Sequence, residues 1–407
     1  APILFGKGFE GQMIPAEELE RRLERLQKAL GEEGWGGILV VQRADLYYFS
    51  GTAQNGVLFI PAKGDPSLLV RKSFRRARQE SGLKQVQPLE GWETLVELIR
   101  GSVPPGGRIG MELDVLPVNL FRRYRKLLAD YPLEDASPLI RRLRAVKSPL
   151  EIEAIRRAAR LSEAVFNHAR EILAPGMTEI ELAAQLEAFA RARGHQGAIR
   201  MRGFNQELYF GHVMSGPSAA VPTFFDGPTG GTGPNASYPL GAGFRPLGLN
   251  EPILLDLVTV VDGYMVDQTR VFALGRLPAR LEKAYAAALE IKRALINEAG
   301  PGTPARRLYD LAVALAREAG LADYFMGSEE KVRFIGHGLG IELDELPVIA
   351  GGAETALEEG MVFALEPKFV FPGEGVVGVE DTFAVAAGGL EQLTRFSDDL
   401  NENTRAL

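Results

Sequence analysis

The chain of 407 residues contains no cysteine, which removes disulfides, zinc–thiolate centres, iron–sulfur clusters and thiol nucleophiles from consideration. Histidine is almost as scarce. His168, His195, His212 and His337 are all there are, so a three-histidine metal site would use nearly the whole supply. No run approaches the roughly 18 apolar residues that span a bilayer, and Ala1–Gly11 lacks the basic start and apolar core of a signal peptide. The expectation is a soluble, cytoplasmic protein with no membrane partner. A basic excess is missing as well: 53 acidic against 46 basic residues leave a net charge of −7. That balance argues against nucleic-acid binding, which calls for a basic face. What is present is ordinary globular material, 46% hydrophobic and 24% charged, long enough for two or three domains.

The first 140 residues alternate helical and strand signals. Leu19, Leu23, Leu26 and Leu30 recur on one helical face. Short apolar runs at Ile38–Val41, Val57–Ile60, Leu68–Val70 and Arg108–Met111 read as strands, with helices at Trp92–Arg100 and Val118–Ala129 between them. This rhythm predicts a small α/β domain over 1–140 with a largely parallel sheet. A second domain, 141–407, follows. Ser148-Pro149-Leu150-Glu151 is a capping box with proline at the first helical position, and Thr178-Glu179-Ile180-Glu181 opens another helix. The Gly- and Pro-rich stretch Gly227–Gly248 is a long loop suited to rim a site; it lacks the GK[ST] ending of a phosphate-binding loop. From Glu251 onward, strand pairs and two long helices (Leu281–Ala299 and Pro304–Ala319) give an α+β pattern.

The chemistry concentrates in this second half. In Glu251–Arg270, Asp262-Gly263 between apolar runs is the signature of a two-residue type I′ hairpin turn. That turn sets the register: Val261 faces Tyr264, Asp256 faces Thr269, and Asp267 faces Val258. Asp256 and Asp267 then lie on one face as diagonal neighbours, ~7–8 Å apart at the backbone. Two inward carboxylates in an apolar hairpin require a cation between them. A second hairpin is read from Met361–Glu366 and Val376–Asp381 around Pro372–Gly375. With an odd loop, Glu366 and Glu380 pair directly across the strands; with an even loop they face opposite ways. His337 projects from Gly336-His337-Gly338-Leu339-Gly340. Four carboxylates and one neutral imidazole balance two divalent cations, and an oxygen-rich set with one imidazole suits manganese, cobalt, iron or zinc. Such ion pairs activate water and polarise a carbonyl for attack.

The order Asp256, Asp267, HGLG, LEP, VED resembles the pita-bread metallopeptidase family, which includes methionine aminopeptidase, aminopeptidase P, prolidase and the non-peptidase creatinase. The likeness covers nearly the whole chain. RLERLQKALGEEGWGGILVVQRADLYYFSG is similar to the smaller first domain of aminopeptidase P, prolidase and creatinase. RLRAVKSPLEIEAIRRAARLSEAVF is similar to the linker into the catalytic half. The resemblance implies a creatinase/prolidase-type amino-terminal domain, an α+β pita-bread catalytic domain and a homodimer. It also implies a two-metal ligand set of Asp256, Asp267, His337, Glu366 and Glu380, with manganese favoured.

Three positions on the substrate side depart from the family pattern. Thr223 and Asp344 stand where the family usually has histidines, and Gly378 stands where an arginine is common. The family's Glu-Pro-Gly is Glu366-Pro367-Lys368. The leading expectation is a metal-dependent hydrolase removing an amino-terminal residue before proline from a small peptide. In that reading Glu366 shuttles the proton of the attacking water, while Thr223 and Asp344 shape the pocket. The alternatives are a non-peptidase hydrolase or lyase of a small C–N compound, as creatinase is, and a metal-binding protein with weakened catalysis.

Overall fold

The computed structural model describes residues 13–403; Ala1–Gly11, on which the signal-peptide expectation rests, lies outside them. Two compact units divide the chain at Arg144 and Ala145.

In the first unit the leucine stripe becomes helix Ala16–Glu32, with Leu19, Leu23, Leu26 and Leu30 all buried. Six strands form one sheet. The sheet is mixed rather than largely parallel: Gly37–Val40 runs parallel to Ile109–Met111 but antiparallel to Gly56–Pro61, which is itself antiparallel to Ser67–Val70. Chain length explains the reversal. Only Ala62–Pro66 separates Gly56–Pro61 from Ser67–Val70, far short of the dozen residues a parallel crossover takes. Two edge strands, Gln85–Pro88 and Leu133–Asp135, have too little apolar alternation to be read from sequence.

The second unit is α+β. Ser148 and Thr178 both close full capping boxes, opening helices Pro149–Ile172 and Glu179–Arg191. Strands Asn401–Asn403, Tyr264–Leu274, Ile253–Val261 and Gly211–Ser215 lie side by side in that order. A five-stranded sheet carries Glu345–Ala350, Phe334–Gly338, Val362–Leu365, Asp381–Ala386 and Gly389–Gln392. Helices Ala279–Glu298 and Ala305–Glu318 contribute Leu281, Ala284, Ile291, Leu295, Leu308 and Ala312 to a core shared with Phe369, Val376 and Val377. Among the described residues no helix is long and apolar enough to cross a membrane.

Candidate metal centre

The central hairpin has the register its turn dictates. Asp262 and Gly263 both take positive φ, 52° and 84°, as a type I′ turn demands. Asp256 pairs with Thr269, and Val258 with Asp267. The second hairpin has the odd loop: Phe371 pairs with Gly375 across Pro372–Glu374, and Lys368 with Gly378. Farther along, Leu365 pairs with Asp381. The same register on both sides brings Glu366 opposite Glu380. A bridge of two backbone hydrogen bonds, 3.2 Å each, ties Thr269 to Glu380 and joins the two hairpins.

His337 sits on strand Phe334–Gly338, which pairs with Val362–Leu365 and places it opposite Ala364. Its flanking glycines are required by crowding. A Cβ at Gly336 would lie 2.2 Å from the Ala364 carbonyl oxygen, and one at Gly338 equally close to that of Leu346. The loop beyond is pinned by Glu345, which accepts from the amides of Ile341 and Glu342 and pairs with Lys147 at 3.1 Å. The His337 Nδ1 lies 3.2 Å from the Leu343 carbonyl and 3.3 Å from that of Gly338. Two acceptors there make Nδ1 the protonated nitrogen and leave the Nε2 lone pair facing inward. From Nε2, Asp267 Oδ2 and Glu380 Oε1 are each 3.8 Å away, and Glu366 Oε1 is 3.9 Å away. Those gaps are too long for hydrogen bonds. They suit ligands that share one ion at ~2.1 Å from each.

The centre also holds a cation of the chain's own. Lys368, only 1% exposed, puts its Nζ 2.8 Å from Asp256 Oδ2, 2.8 Å from Glu366 Oε2 and 2.8 Å from Glu380 Oε2. Burial opposes its charge, but Asp256, Glu366 and Glu380 outweigh that and hold the ammonium well above its ordinary range. Its influence runs both ways. Burial raises Asp256, yet Lys368 and then His212 hold that carboxyl below its ordinary value. Asp267, which the ammonium does not hydrogen-bond, is driven well up by burial and by Glu380 and Asp256, with Lys368 opposing. Burial pushes Glu380 up to about 7, with Lys368 opposing and Glu366 and Asp256 adding to the rise.

Two carboxylate oxygens, Asp267 Oδ1 and Glu380 Oε1, are buried without a hydrogen-bond donor. Orphaned buried acceptors of this kind call for an ion or water. Asp267, His337 and Glu380 offer ligand atoms within 4.8 Å of one another, beside a cavity of ≈ 40 Å³ that they help to line. One divalent ion fits this arrangement. Lys368 occupies one oxygen each of Asp256, Glu366 and Glu380. The count of four carboxylates against two ions had left this lysine out.

The sequence-predicted residues therefore separate. Asp256, Asp267, His337, Glu366 and Glu380 all line the cavity, as does Asp344, whose Oδ1 stands 3.6 Å from His337 Nδ1. Thr223 is not among the lining side chains; its hydroxyl is spent on the Pro239 carbonyl at 2.7 Å. Asp226–Thr229, at the start of the Gly-rich loop, do line the cavity. His212 was missed by sequence reasoning. It pairs with Asp256 across the sheet, lines the cavity and leaves Nδ1 without a hydrogen-bond partner. Burial, and secondarily Lys368, keep it neutral against the pull of Asp256. Lys368 could have been found. Two residues after Glu366 on an extended strand, it shares that residue's face.

The sequence profile of "Metallopeptidase family M24" matches residues 153–387, and that of "Creatinase/Prolidase N-terminal domain" matches 22–146. The chain is 26% identical to a Xaa-Pro dipeptidase of Pyrococcus furiosus over 384 residues, 94% of this chain and 100% of that one. It is 30% identical to a Xaa-Pro dipeptidase of Lactobacillus helveticus over 313 residues, 76% of each. The solved Xaa-Pro dipeptidase from Bacillus anthracis superposes with a TM-score of 0.80 at 25% identity, covering 95% of this chain and 100% of that one.

Proposed function

Since the chain belongs to metallopeptidase family M24, with the family's pita-bread fold, we propose that it is a metal-dependent hydrolase of small peptides with proline after the scissile bond. The observation that carries this is the pair of donor-less buried oxygens, Asp267 Oδ1 and Glu380 Oε1, facing the cavity beside His337 Nε2. Asp267, His337 and Glu380 would hold a divalent ion, for which manganese is favoured over cobalt, iron and zinc. Bound there, the ion would supply Lewis acidity toward water and a substrate carbonyl.

The chain's own groups do the rest. Glu366 faces the cavity and shares the Lys368 ammonium, so it can take a proton from water and hand it to a leaving amine. The neutral His212 imidazole offers a hydrogen-bonding edge on the Asp256 side. Phe225 packs edge-on against His212 with ring centroids 5.5 Å apart, giving that wall an apolar flank. The homodimer and the cytoplasmic location belong to this same reading.

A second reading, a hydrolase or lyase of a small cationic C–N compound, draws on Asp344. Its carboxylate is 42% exposed at the cavity's edge, where the family pattern has a histidine, and it would favour a cationic group over a developing oxyanion. Metal-reconstituted protein assayed against Xaa-Pro dipeptides, longer Xaa-Pro peptides and creatine-like amides separates the two. Cleavage of the Xaa-Pro bond that is lost on chelation is the expected result. Turnover of the amides alone selects the second reading, and no metal-dependent turnover of any of them removes both.

A further inference from the structure

Four carboxylates that converge in an apolar interior need cations, and the chain brings one of its own. We infer that the Lys368 ammonium stands permanently in place of one of two ions, so that the centre takes a single divalent ion, at Asp267, His337 and Glu380. The inference rests on reading this site as a metal centre and deepens that reading.

Three observations carry it. First, the ammonium has three acceptors at 2.8 Å, one from each of Asp256, Glu366 and Glu380. A lysine has three donors and no acceptor, so Lys368 is saturated and has no reason to swing away. Second, the oxygens sort into two classes. Asp256 Oδ2, Glu366 Oε2 and Glu380 Oε2 face the ammonium, while the orphaned Asp267 Oδ1 and Glu380 Oε1 do not. Glu380 thus gives one oxygen to the lysine, which Thr269 Oγ1 also reaches at 2.8 Å, and leaves the other for an ion.

Third, the backbone is built to admit the lysine. Gly378 is the register partner of Lys368. A Cβ at Gly378 would sit 2.7 Å from Lys368 Cα, 2.7 Å from its Cγ and 2.6 Å from the Pro367 carbonyl oxygen. Any side chain at 378 would press on the stem that carries the ammonium inward. Two departures that look independent in the sequence, lysine after Glu366-Pro367 and glycine two residues before Glu380, are one structural exchange: a cation enters and its neighbour's side chain is withdrawn.

The test is metal stoichiometry, read without any substrate. The full chain is stripped of metal, saturated with Mn²⁺ by equilibrium dialysis and analysed for bound metal, with paramagnetic resonance reporting whether the bound ions are exchange-coupled. The unmodified chain should hold one Mn²⁺ with the uncoupled spectrum of isolated ions. Lys368→Gly should raise the number to two and introduce coupling.

Two coupled ions in the unmodified chain would overturn the inference, even if the variant fails to fold. So would one ion in both chains with Lys368→Gly folded by circular dichroism, because the lysine would then displace nothing. No bound Mn²⁺ at all would remove the single-ion centre outright. The readout is independent of the proposed activity. One bound ion without Xaa-Pro cleavage would cost the activity reading alone, and cleavage with two bound ions would cost this inference alone.

Discussion

Two clusters of buried charge lie back to back on the same strands of the catalytic unit, and they are built on opposite rules. Neighbouring residues feed them: Thr269 and Glu380 turn toward the cavity, while Arg270 and Asp381 turn away from it. On the far side, Arg270 meets Asp381 at 2.8 Å and Asp398 at 2.9 Å, and Lys292 meets the same two carboxylates at 2.7 and 2.5 Å. Arg270 also donates to the carbonyls of Thr269, Glu380, Ser397 and Phe396. Two cations answer two anions, each cation meeting both carboxylates. On the cavity side four carboxylates answer to one ammonium, and two of their oxygens have no donor. Balance marks the cluster that holds the fold together. Imbalance marks the one held ready for a ligand, because the unmet charge has a use only when a cation arrives.

That contrast is broken most visibly at the ligands. His337→Ala and Asp267→Asn should each abolish tight Mn²⁺ binding. Metal-dependent hydrolysis should fall on the order of 10³-fold, as expected when several kcal/mol of Lewis-acid stabilisation is lost. In the metal-free protein Asp267→Asn should do the reverse to the fold and raise stability by about 1 kcal/mol, since it removes a repelled buried charge. A metal-free Asp267→Asn protein that unfolds at lower denaturant than its parent would mean the cavity-side carboxylates are not in excess.

The balanced cluster should behave oppositely. Arg270→Met leaves Asp381 and Asp398 with Lys292 alone and takes the guanidinium donors from the Ser397 and Phe396 carbonyls, so unfolding stability should drop by about 3–5 kcal/mol. Mn²⁺ stoichiometry of the folded fraction should not change. Denaturant titration together with metal analysis checks both halves, and a variant that loses metal but not stability would reverse the assignment of the two clusters.

His195 sharpens the comparison with a buried titratable group outside both clusters. Its Nδ1 accepts from the Val260 amide at 3.0 Å. Burial first, then Arg191, pushes its pKa down to about 4. The sign follows directly. Above the unfolded value near 6.5 the ring is neutral in both states and the stabilisation is complete. Below it the unfolded chain binds the extra proton, so stability falls by up to about 3 kcal/mol as pH drops from ~6.5 to ~4, then levels off. In His195→Gln, whose amide oxygen can still accept from Val260, the pH dependence of unfolding across that window should flatten. Parallel profiles for parent and variant would show that His195 contributes no proton linkage.

How much of this was legible in sequence depended on whether local rules reached the question. Asp262-Gly263 fixed which face Asp256 and Asp267 share, because a two-residue turn leaves no freedom of register. The three-residue loop at Pro372–Glu374 then decided a pairing for Glu366 and Glu380 that the sequence had left open, since strand limits blur by a residue or two. Lys368 was visible as a departure from a pattern but not as a ligand of the carboxylates. Its direction follows from strand alternation; its saturation by three separate segments does not. Thr223 shows the complementary limit: its place in a motif is local, but the Pro239 carbonyl that takes its hydroxyl comes from 16 residues on. His212 needed the pairing of Gly211–Ser215 with Ile253–Val261, a contact between distant segments that no local periodicity encodes. The amino-terminal sheet was read as largely parallel because the α/β rhythm was weighed above the five-residue link that forces an antiparallel pair.

The smallest expected effect belongs to Asp344, which stands where cavity and solvent meet. It is half-exposed and faces the protonated Nδ1 side of His337 at 3.6 Å. Solvent screens a charge so placed, which limits what it adds to stability. Burial works against a proton on His337, and Asp344, followed by Glu366 and Glu380, favours one. An ionised carboxylate at the rim also repels the oxyanion that grows during acyl transfer, whereas a histidine there could donate to it. Asp344→His should therefore speed cleavage of neutral Xaa-Pro substrates by about tenfold, a modest part of the 10²–10³ that a well-placed oxyanion donor supplies. It should also weaken any preference for substrates with a cationic group beside the scissile bond. Mn²⁺ content should stay constant, because Asp344 faces Nδ1 and not the Nε2 side where the ion would sit. Kinetics on matched neutral and cationic peptides, with metal content measured on the same preparations, decide the matter: identical selectivity in parent and variant would make Asp344 a residue of the loop rather than of the pocket.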